Sequence, residues 1–496
     1  MPTALDALWS NRLFGLILVA AMAVGTAIFA AWLTPRGPIT TAQALTWMGI
    51  AFVLGGAAGA ITGSRWSMLV TPLVFVAVFE VGRLGVDGPT VDAIHLVSIY
   101  GVIAFVTGRL FHGVLVLAPM MLGSVYGVWV AARLGHPAAP NTGLVGWVLS
   151  GLVSVGLLLL AASIARPAVT APILGEEGAP LPGSLAELTT APIGGHNQAL
   201  MIRGRNTDNP VLLYLAGGPG GTDIGAMRLD TGLEAHFVVA TWDQRGVGKS
   251  YTALDPVETL TLDQMVADTI AVTDYLRQRF AEDKIYLVGN SWGTTLGVLA
   301  AQQRPDLYHA FVGTGQMVSQ RQTDIIFYEQ TLSWAEETGN TALVDTLRRN
   351  GPPPYESLLS YEPALAHEHD WNPYPDFNPN NEMPAILFVP EYTLMDKING
   401  FRSFLDTFGV LYPQLQHIDF RHDVTRLDVP VTVVLGEHEA RGRAVLAHEW
   451  FDQLEAPAKQ MIIFERAGHR AHFDDPAAFA ALMAQIVDEA YPSGQQ

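Results

Sequence analysis

The stretch KIYLVGNSWGTTLGVLAAQQRP, Lys284 to Pro305, decides the fold. It opens as a short β-rich apolar run, closes as a helical pattern, and places Gly289-Asn290-Ser291-Trp292-Gly293 at the junction. A strand that turns directly into a helix leaves no room for side chains two residues before and two residues after the turning residue. In return it lifts that residue's hydroxyl above the sheet, at the helix N-terminus. Ser291 is therefore the candidate nucleophile.

A serine hydroxyl attacks well only if a base accepts its proton, and the base needs an acid to fix its tautomer. Both should lie downstream. Val429–Leu435 reads as a late strand running into Gly436-Glu437-His438-Glu439, and Met461–Phe464 as a last strand followed by Ala467-Gly468-His469. The order serine, acid, histidine matches a nucleophile on a strand-to-helix turn. We assign His469 as general base and Glu439 as orienting acid. The alternatives are His472, three residues on, as a surface loop residue or the base, and Glu437 as the acid.

Charge developing on a substrate carbonyl calls for preorganised N–H donors. The backbone of Trp292 supplies one. VLLYLAGGPGG, Val211 to Gly221, reads as a buried strand ending in glycines that let backbone approach a substrate closely, and Gly218 is the second oxyanion-hole candidate. No Gly-Lys-Ser/Thr follows this turn, so a phosphate loop is disfavoured. Upstream and downstream, Gln198–Arg203, Val211–Leu215, Phe237–Thr241 and Ile285–Val288 read as strands and Leu262–Phe280 as a helix. Alternation of this kind implies an α/β class with a mostly parallel sheet covered on both faces.

Together AGGPG at Ala216–Gly220, DQRGVGKS at Asp243–Ser250 and GNSWG at Gly289–Gly293 resemble the prolyl iminopeptidase family of α/β-hydrolases, over roughly Gly195 to Tyr491. The family usually has histidine where Ala216 stands and aspartate where Glu439 stands. The resemblance implies that Asp243 and Arg245 hold the loop beside the oxyanion site. It also implies a helical cap, and the sequence agrees: Gln316–Arg426 is too long for a simple connection and has helical pieces at Asp324–Glu337 and Tyr392–Phe408. In that family cap carboxylates hold the substrate's α-ammonium, a role for which Glu329, Glu336, Glu337, Glu382 and Glu391 are candidates. Trp334, Tyr355, Trp371 and Tyr392 either line an acyl or prolyl pocket or pack the cap.

The N-terminal third is of another kind. The 496 residues are 49% hydrophobic and only 15% charged, too apolar for an average soluble protein. Leu13–Leu33 is long enough to cross a hydrocarbon core of about 30 Å. Its competing reading is a cleaved signal peptide. Similar stretches recur at Ala44–Thr62, Trp66–Val81, Ala93–Gly108, Leu110–Ala132 and Gly143–Ala165, so about six membrane spans are expected, or five if the short fourth is a re-entrant or interfacial piece. Gly55 and Gly59 form a small-residue packing pair, and Glu80 pairs with Arg83 one turn on. The arginines divide too evenly among the loops to orient the bundle. After Arg166 comes a Pro- and Gly-rich stretch that breaks helix and ladder alike.

The expected organisation is a multi-pass transmembrane helical domain at 1–166, a linker at 167–194, an α/β-hydrolase core at 195–315 and 427–496, and a helical cap at 316–426. Residues through Arg166 carry a net +3 and the remainder −22, which disfavours nucleic acid or anionic headgroups as partners of the C-terminal part. A small peptide or ester substrate and the lipid bilayer are the expected partners. With no cysteine, thiolate catalysis, disulfides and Cys-ligated zinc are excluded, and acyl transfer by a serine requires neither cofactor nor metal. The expected function is a membrane serine hydrolase acting as an aminopeptidase. The alternatives are a membrane carboxylesterase or lipid hydrolase, and a receptor or transporter whose hydrolase-like domain only binds.

Overall fold

The computed structural model describes residues 9–136, 143–378 and 385–490. The chain divides into two compact units, residues 1–167 with 393–398, and residues 168–392 with 399–496.

In the first unit, the described residues form five helices: α1 Arg12–Leu33, α2 Thr41–Thr62, α3 Ser67–Gly82, α4 Ile99–Arg133 and α5 Leu144–Ala165. All except α3, at 16 residues, are long and apolar enough to cross a membrane. The expected fourth and fifth spans are one 35-residue helix and the expected third is the 16-residue α3, so the described residues hold four helices of spanning length where about six were expected. Arg109, which reads in sequence as a loop marker, sits within a π-helical turn, Phe105–Leu110. Its guanidinium donates to the Val91 carbonyl at 2.6 Å and lies 3.5 Å from Glu80, so its charge is met inside the bundle and the helix runs through it. Glu80 also accepts from Arg83 Nε at 3.2 Å, the i,i+3 pair expected.

Helices α2 and α4 pack backbone to backbone. A Cβ on Gly55 would lie 1.8 Å from the Met120 carbonyl oxygen and one on Gly59 2.2 Å from that of Ser124. Reciprocally, one on Gly123 would lie 2.0 Å from the Phe52 oxygen and one on Gly127 2.1 Å from that of Gly56. Only glycine permits this approach, which brings the two backbones into close dispersion contact. By contrast α5 buries only Ser150 and Ile164 and turns Leu144, Val145, Leu152, Leu158 and Leu159 outward.

The second unit is built on one eight-stranded sheet in the order β1-β2-β4-β3-β5-β6-β7-β8: β1 Leu185–Ile193, β2 His196–Gly204, β3 Val211–Leu215, β4 Val238–Trp242, β5 Ile285–Asn290, β6 Tyr308–Thr314, β7 Val431–Gly436 and β8 Lys459–Phe464. β1 and β2, and β2 and β4, pair antiparallel; every other pair is parallel. The β3, β4, β5 and β7 strands are buried along their whole length, as strands covered on both faces must be. Covering helices include α6 Leu262–Phe280 and α7 Trp292–Gln303.

The expected linker is only partly one, because Leu185–Ile193 is the edge strand β1. Its proline, Pro192, is tolerated on an edge, and Gly194-Gly195, both with positive φ, form the two-residue hairpin turn into β2. Between β6 and β7 lies the helical insertion, with α8 Gln320–Glu337, α9 Thr341–Asn350, α10 Leu358–Leu365, α11 Glu368–Trp371 and α12 Leu394–Leu411. α13 Arg441–Gln453 and α14 Pro476–Ala490 complete the core.

The α2–α4 contact yields a contrast. Gly123→Ala should destabilise the helical unit by about 1–3 kcal/mol through overpacking, whereas Gly151→Ala, whose Cβ meets nothing within 4 Å, should be neutral or mildly stabilising. Melting temperatures of the detergent-solubilised protein decide it, and equal values for the two variants would contradict the packing.

Candidate active site

Ser291 joins β5 to α7 with φ 52° and ψ −120°; among the described residues, only Ala281 is another non-glycine at positive φ. Such a conformation costs on the order of 1–3 kcal/mol and persists only where the surroundings enforce it. The Ser291 amide donates to the Thr314 carbonyl at 3.0 Å, and the Ser291 carbonyl accepts from Thr294 N–H at 2.8 Å and Oγ1 at 2.6 Å. A Cβ on Gly289 would lie 2.4 Å from the Gly293 oxygen, and one on Gly293 would lie 2.1 Å from the Leu215 oxygen. The two glycines flanking the serine are thus steric requirements of the turn.

The glycine loop after β3 lies against this turn: a Cβ on Gly217 would sit 3.3 Å from that of Ser291. Gly218, at φ 128°, and Gly220, at φ 87°, continue it, and Ser403 Oγ of α12 donates to the Gly220 carbonyl at 3.0 Å. Gln244, not singled out from sequence, ties the loop to the turn. Its Nε2 donates to the Ala216 carbonyl at 3.2 Å while its Oε1 accepts from the Trp292 indole at 2.8 Å. Both neighbours of Gln244 are structural. Buried Asp243 accepts from Lys249 N–H at 2.8 Å and from Thr222. Arg245 donates to Asp268 at 2.7 and 3.1 Å and to the Gly194 carbonyl at 2.8 Å.

Glu439 and His469 meet across the ends of β7 and β8, with Nδ1 of the imidazole 2.8 Å from Oε2 of the carboxylate. Oε1 accepts from the Ala440 amide at 2.9 Å and from Arg443 Nε at 2.7 Å. The Glu439 side chain is fully buried, and burial alone would raise its pKa. The charges of Arg443 and His469 and their hydrogen bonds outweigh burial and hold it at about 2. The His469 loop is fastened to the serine turn, since Asn290 Nδ2 donates to the Thr314 carbonyl at 3.2 Å and reaches the His469 carbonyl at 3.4 Å. At Gly315, φ 57°, a Cβ would lie 2.7 Å from His469 Nδ1, so the residue after β6 must also be glycine.

The two alternatives occupy other places. His472 is not on the surface. It is buried between Tyr214 OH at 2.8 Å and Thr314 Oγ1 at 3.0 Å, and burial depresses its pKa well below the usual imidazole value. Glu437 is exposed.

Of the cap carboxylates, Glu329, Glu336 and Glu337 are exposed, Glu336 pairing with Arg348 at 2.7 Å. Glu391 is buried against Arg228 at 2.8 Å. Glu382 lies outside the described residues. Two further cap acids, not flagged from sequence, are engaged inside the fold. Asp324 accepts from Tyr412, Gln416 and Gln320, yet burial pushes its pKa up to about 6. Glu368 pairs with Arg443. Of the aromatic candidates, Tyr355 packs on Tyr361, Trp371 on Phe327 and Trp334 on His367, so these three pack the cap itself, whereas the Tyr392 hydroxyl hydrogen-bonds with Thr222.

The family model described as alpha/beta hydrolase fold matches residues 210–476. The probable aminopeptidase YbaC of Bacillus subtilis (strain 168) is 29% identical over 317 residues, covering 61% of this chain and 96% of its own. The proline iminopeptidase of Lactobacillus delbrueckii subsp. lactis is 24% identical over 312 residues, covering 59% of this chain and 95% of its own. The crystal structure of a proline iminopeptidase-related protein from Thermus thermophilus is 20% identical and covers 62% of this chain and 99% of its own, with a TM-score of 0.43.

Two outcomes follow from this geometry. Gly293→Ala should cost at least about 2 kcal/mol, since backbone must move; a wild-type urea midpoint for this variant would contradict the turn. Glu439 is held at about 2, below its ordinary 4.5. It therefore stabilises the fold above pH ~4.5 and ceases to do so as pH falls towards 2, a contribution of about 3 kcal/mol. Glu439→Gln should be less stable than wild type at neutral pH, with the gap closing towards pH 2 in acid titrations followed by near-UV circular dichroism.

Proposed function

The chain belongs to the alpha/beta hydrolase fold family, and from that premise we propose that it is a membrane-embedded serine hydrolase of aminopeptidase type, releasing N-terminal residues from short peptides. The observation that carries this reading is the Glu439–His469 contact at 2.8 Å, on a loop tied through Asn290 to the turn that presents Ser291.

In this mechanism Ser291 Oγ attacks the scissile carbonyl carbon as His469 Nε2 takes the hydroxyl proton. Glu439 holds Nδ1–H, fixing the tautomer and offsetting the positive charge that forms on the ring. The carbonyl electrons move onto oxygen, and the backbone N–H groups of Gly218 and Trp292 meet that oxyanion, with the N-terminal end of α7 behind them. Collapse expels the amine, which takes the proton from His469, and leaves the acyl group on Ser291. Water, deprotonated by His469, then attacks the acyl-enzyme and releases the acid with the serine restored.

The names of the relatives support peptide bonds at a free N-terminus, and so does the −22 charge of the C-terminal part, which favours a substrate bearing an α-ammonium over an anionic one. The four long apolar helices, and the outward-facing leucines of α5, support membrane embedding. The same helices favour a second reading, a carboxylesterase acting on a lipophilic ester. A receptor or transporter with a silent hydrolase domain would have no use for an aligned acid and imidazole.

The test is hydrolysis by the detergent-purified protein of aminoacyl-arylamides, prolyl included, their N-acetylated forms, and short and long acyl esters. Cleavage of free-amine arylamides, lost on acetylation, is the expected result; cleavage of esters alone would make it an esterase. Ser291→Ala should lower turnover by about 10⁴-fold or more while leaving the melting temperature intact. Undiminished activity in that variant would end the serine mechanism.

A further inference from the structure

Glutamate stands where an aspartate would place its carboxylate with one fewer rotatable bond, and each added rotor costs entropy to fix. Something must hold the longer side chain. Two donors do so, the Ala440 amide and Arg443 Nε, and both take Oε1, which leaves Oε2 for His469.

Arg443 does not belong to Glu439 alone. Its Nη1 reaches Glu368 Oε2 at 3.3 Å and its Nη2 donates to Glu368 Oε1, so one guanidinium joins a carboxylate at the end of β7 to one on α11 of the cap. The guanidinium carbon also lies 4.8 Å from the centre of the Phe327 ring of α8. Arg443 is 7% exposed and Glu368 16%, well shielded from the solvent that weakens surface pairs. The chain after Glu368 adds further ties. Asn372 Nδ2 donates to the His438 carbonyl at 2.9 Å, and the Tyr374 ring stacks on His438 with centroids 5.5 Å apart. Tyr374 OH donates at 2.9 Å to Asp474 Oδ2, which also accepts the Gly468 amide at 2.9 Å. One cap segment therefore grips the loop carrying Glu439 and the loop carrying His469.

We propose that Arg443 is a positioning residue through which the cap segment Glu368–Tyr374 sets the aim of Glu439 at His469, so that catalytic competence depends on the cap being seated. The inference rests on the reading of Glu439 and His469 as acid and base. The charged and titratable groups facing Arg443 are Glu439, with His469 beyond it, Glu368 from α11, and Asp324 of α8 with its partner Tyr412. A guanidinium shared between two carboxylates lets either one alter the field at the imidazole: losing the cation favours the protonated ring, and losing the outer anion disfavours it.

The experiment compares Glu368→Gln, Arg443→Gln, Arg443→Lys and Ser291→Ala in the full-length protein on the best substrate of the panel, with melting temperature, kcat, KM and the pH profile of kcat/KM. Arg443→Gln should lower kcat about ten- to a hundred-fold with little change in KM, and should move the acid limb to higher pH. Glu368→Gln should lower kcat several-fold and move the acid limb to lower pH, and Arg443→Lys should restore the wild-type limb but only part of kcat. Opposite movements of the limb are a signature that loss of packing does not produce. If Arg443→Gln fails to fold, Glu368→Gln decides: an unchanged kcat and an unmoved limb overturn the proposal. If Ser291→Ala stays active, the functional reading fails instead, which keeps the two failures distinct.

Discussion

The second unit is organised around a single steric constraint, the left-handed turn at Ser291 between β5 and α7. Gly293 brings α7 so near β3 that a methyl group would stand 2.1 Å from the Leu215 oxygen, and Gly289 brings the two sides of the turn together in the same way. With the helix this close, the loop that continues β3 has to pass the serine, and a Cβ on Gly217 would reach the Ser291 Cβ at 3.3 Å. The strain stored in the turn is held by bonds to Thr314 on the neighbouring strand and from Thr294 on the helix itself. Gln244 then spans from the indole of Trp292 to the carbonyl of Ala216, locking the serine turn and the glycine loop to one buried amide.

Electrostatics at the ends of β7 and β8 follow from burial. A carboxylate as deeply buried as Glu439 would ordinarily take up a proton, and it stays ionised because Arg443 and His469 supply charge and hydrogen bonds together. Asp324 shows the opposite balance. Three neutral donors reach it, and burial still raises its pKa to about 6. Two cap and core acids of similar burial thus differ according to whether a cation is in direct contact.

The helical unit uses glycine for a different purpose. Gly55, Gly59, Gly123 and Gly127 admit neighbouring backbone where any side chain would collide with it. Two of its arginines, Arg83 and Arg109, are met by Glu80 and by backbone carbonyls, which lets α4 carry a charge within its length.

The sequence by itself determined the α/β class, the turn at Ser291, the strands β2 to β5, β7 and β8 within about two residues at their ends, the cap's place ahead of β7, and the apolar nature of the first 166 residues. Each of these depends on short-range chemistry: a run of buried side chains, a helical period, glycines where a turn leaves no room. What only the tertiary structure decided depends on partners distant in the chain. A proline-bearing segment became the edge strand β1 because β2 was there to pair with it, and Arg109 fell inside one long helix because Glu80 and Val91 were there to meet its charge. His472 turned inward because Tyr214 and Thr314 offered both ring nitrogens a partner. The ties of Gln244 to Ala216 and Trp292, and of Arg443 to Glu368, join segments that the chain separates by 28 to 75 residues, and no pattern of neighbours along a sequence encodes such a meeting.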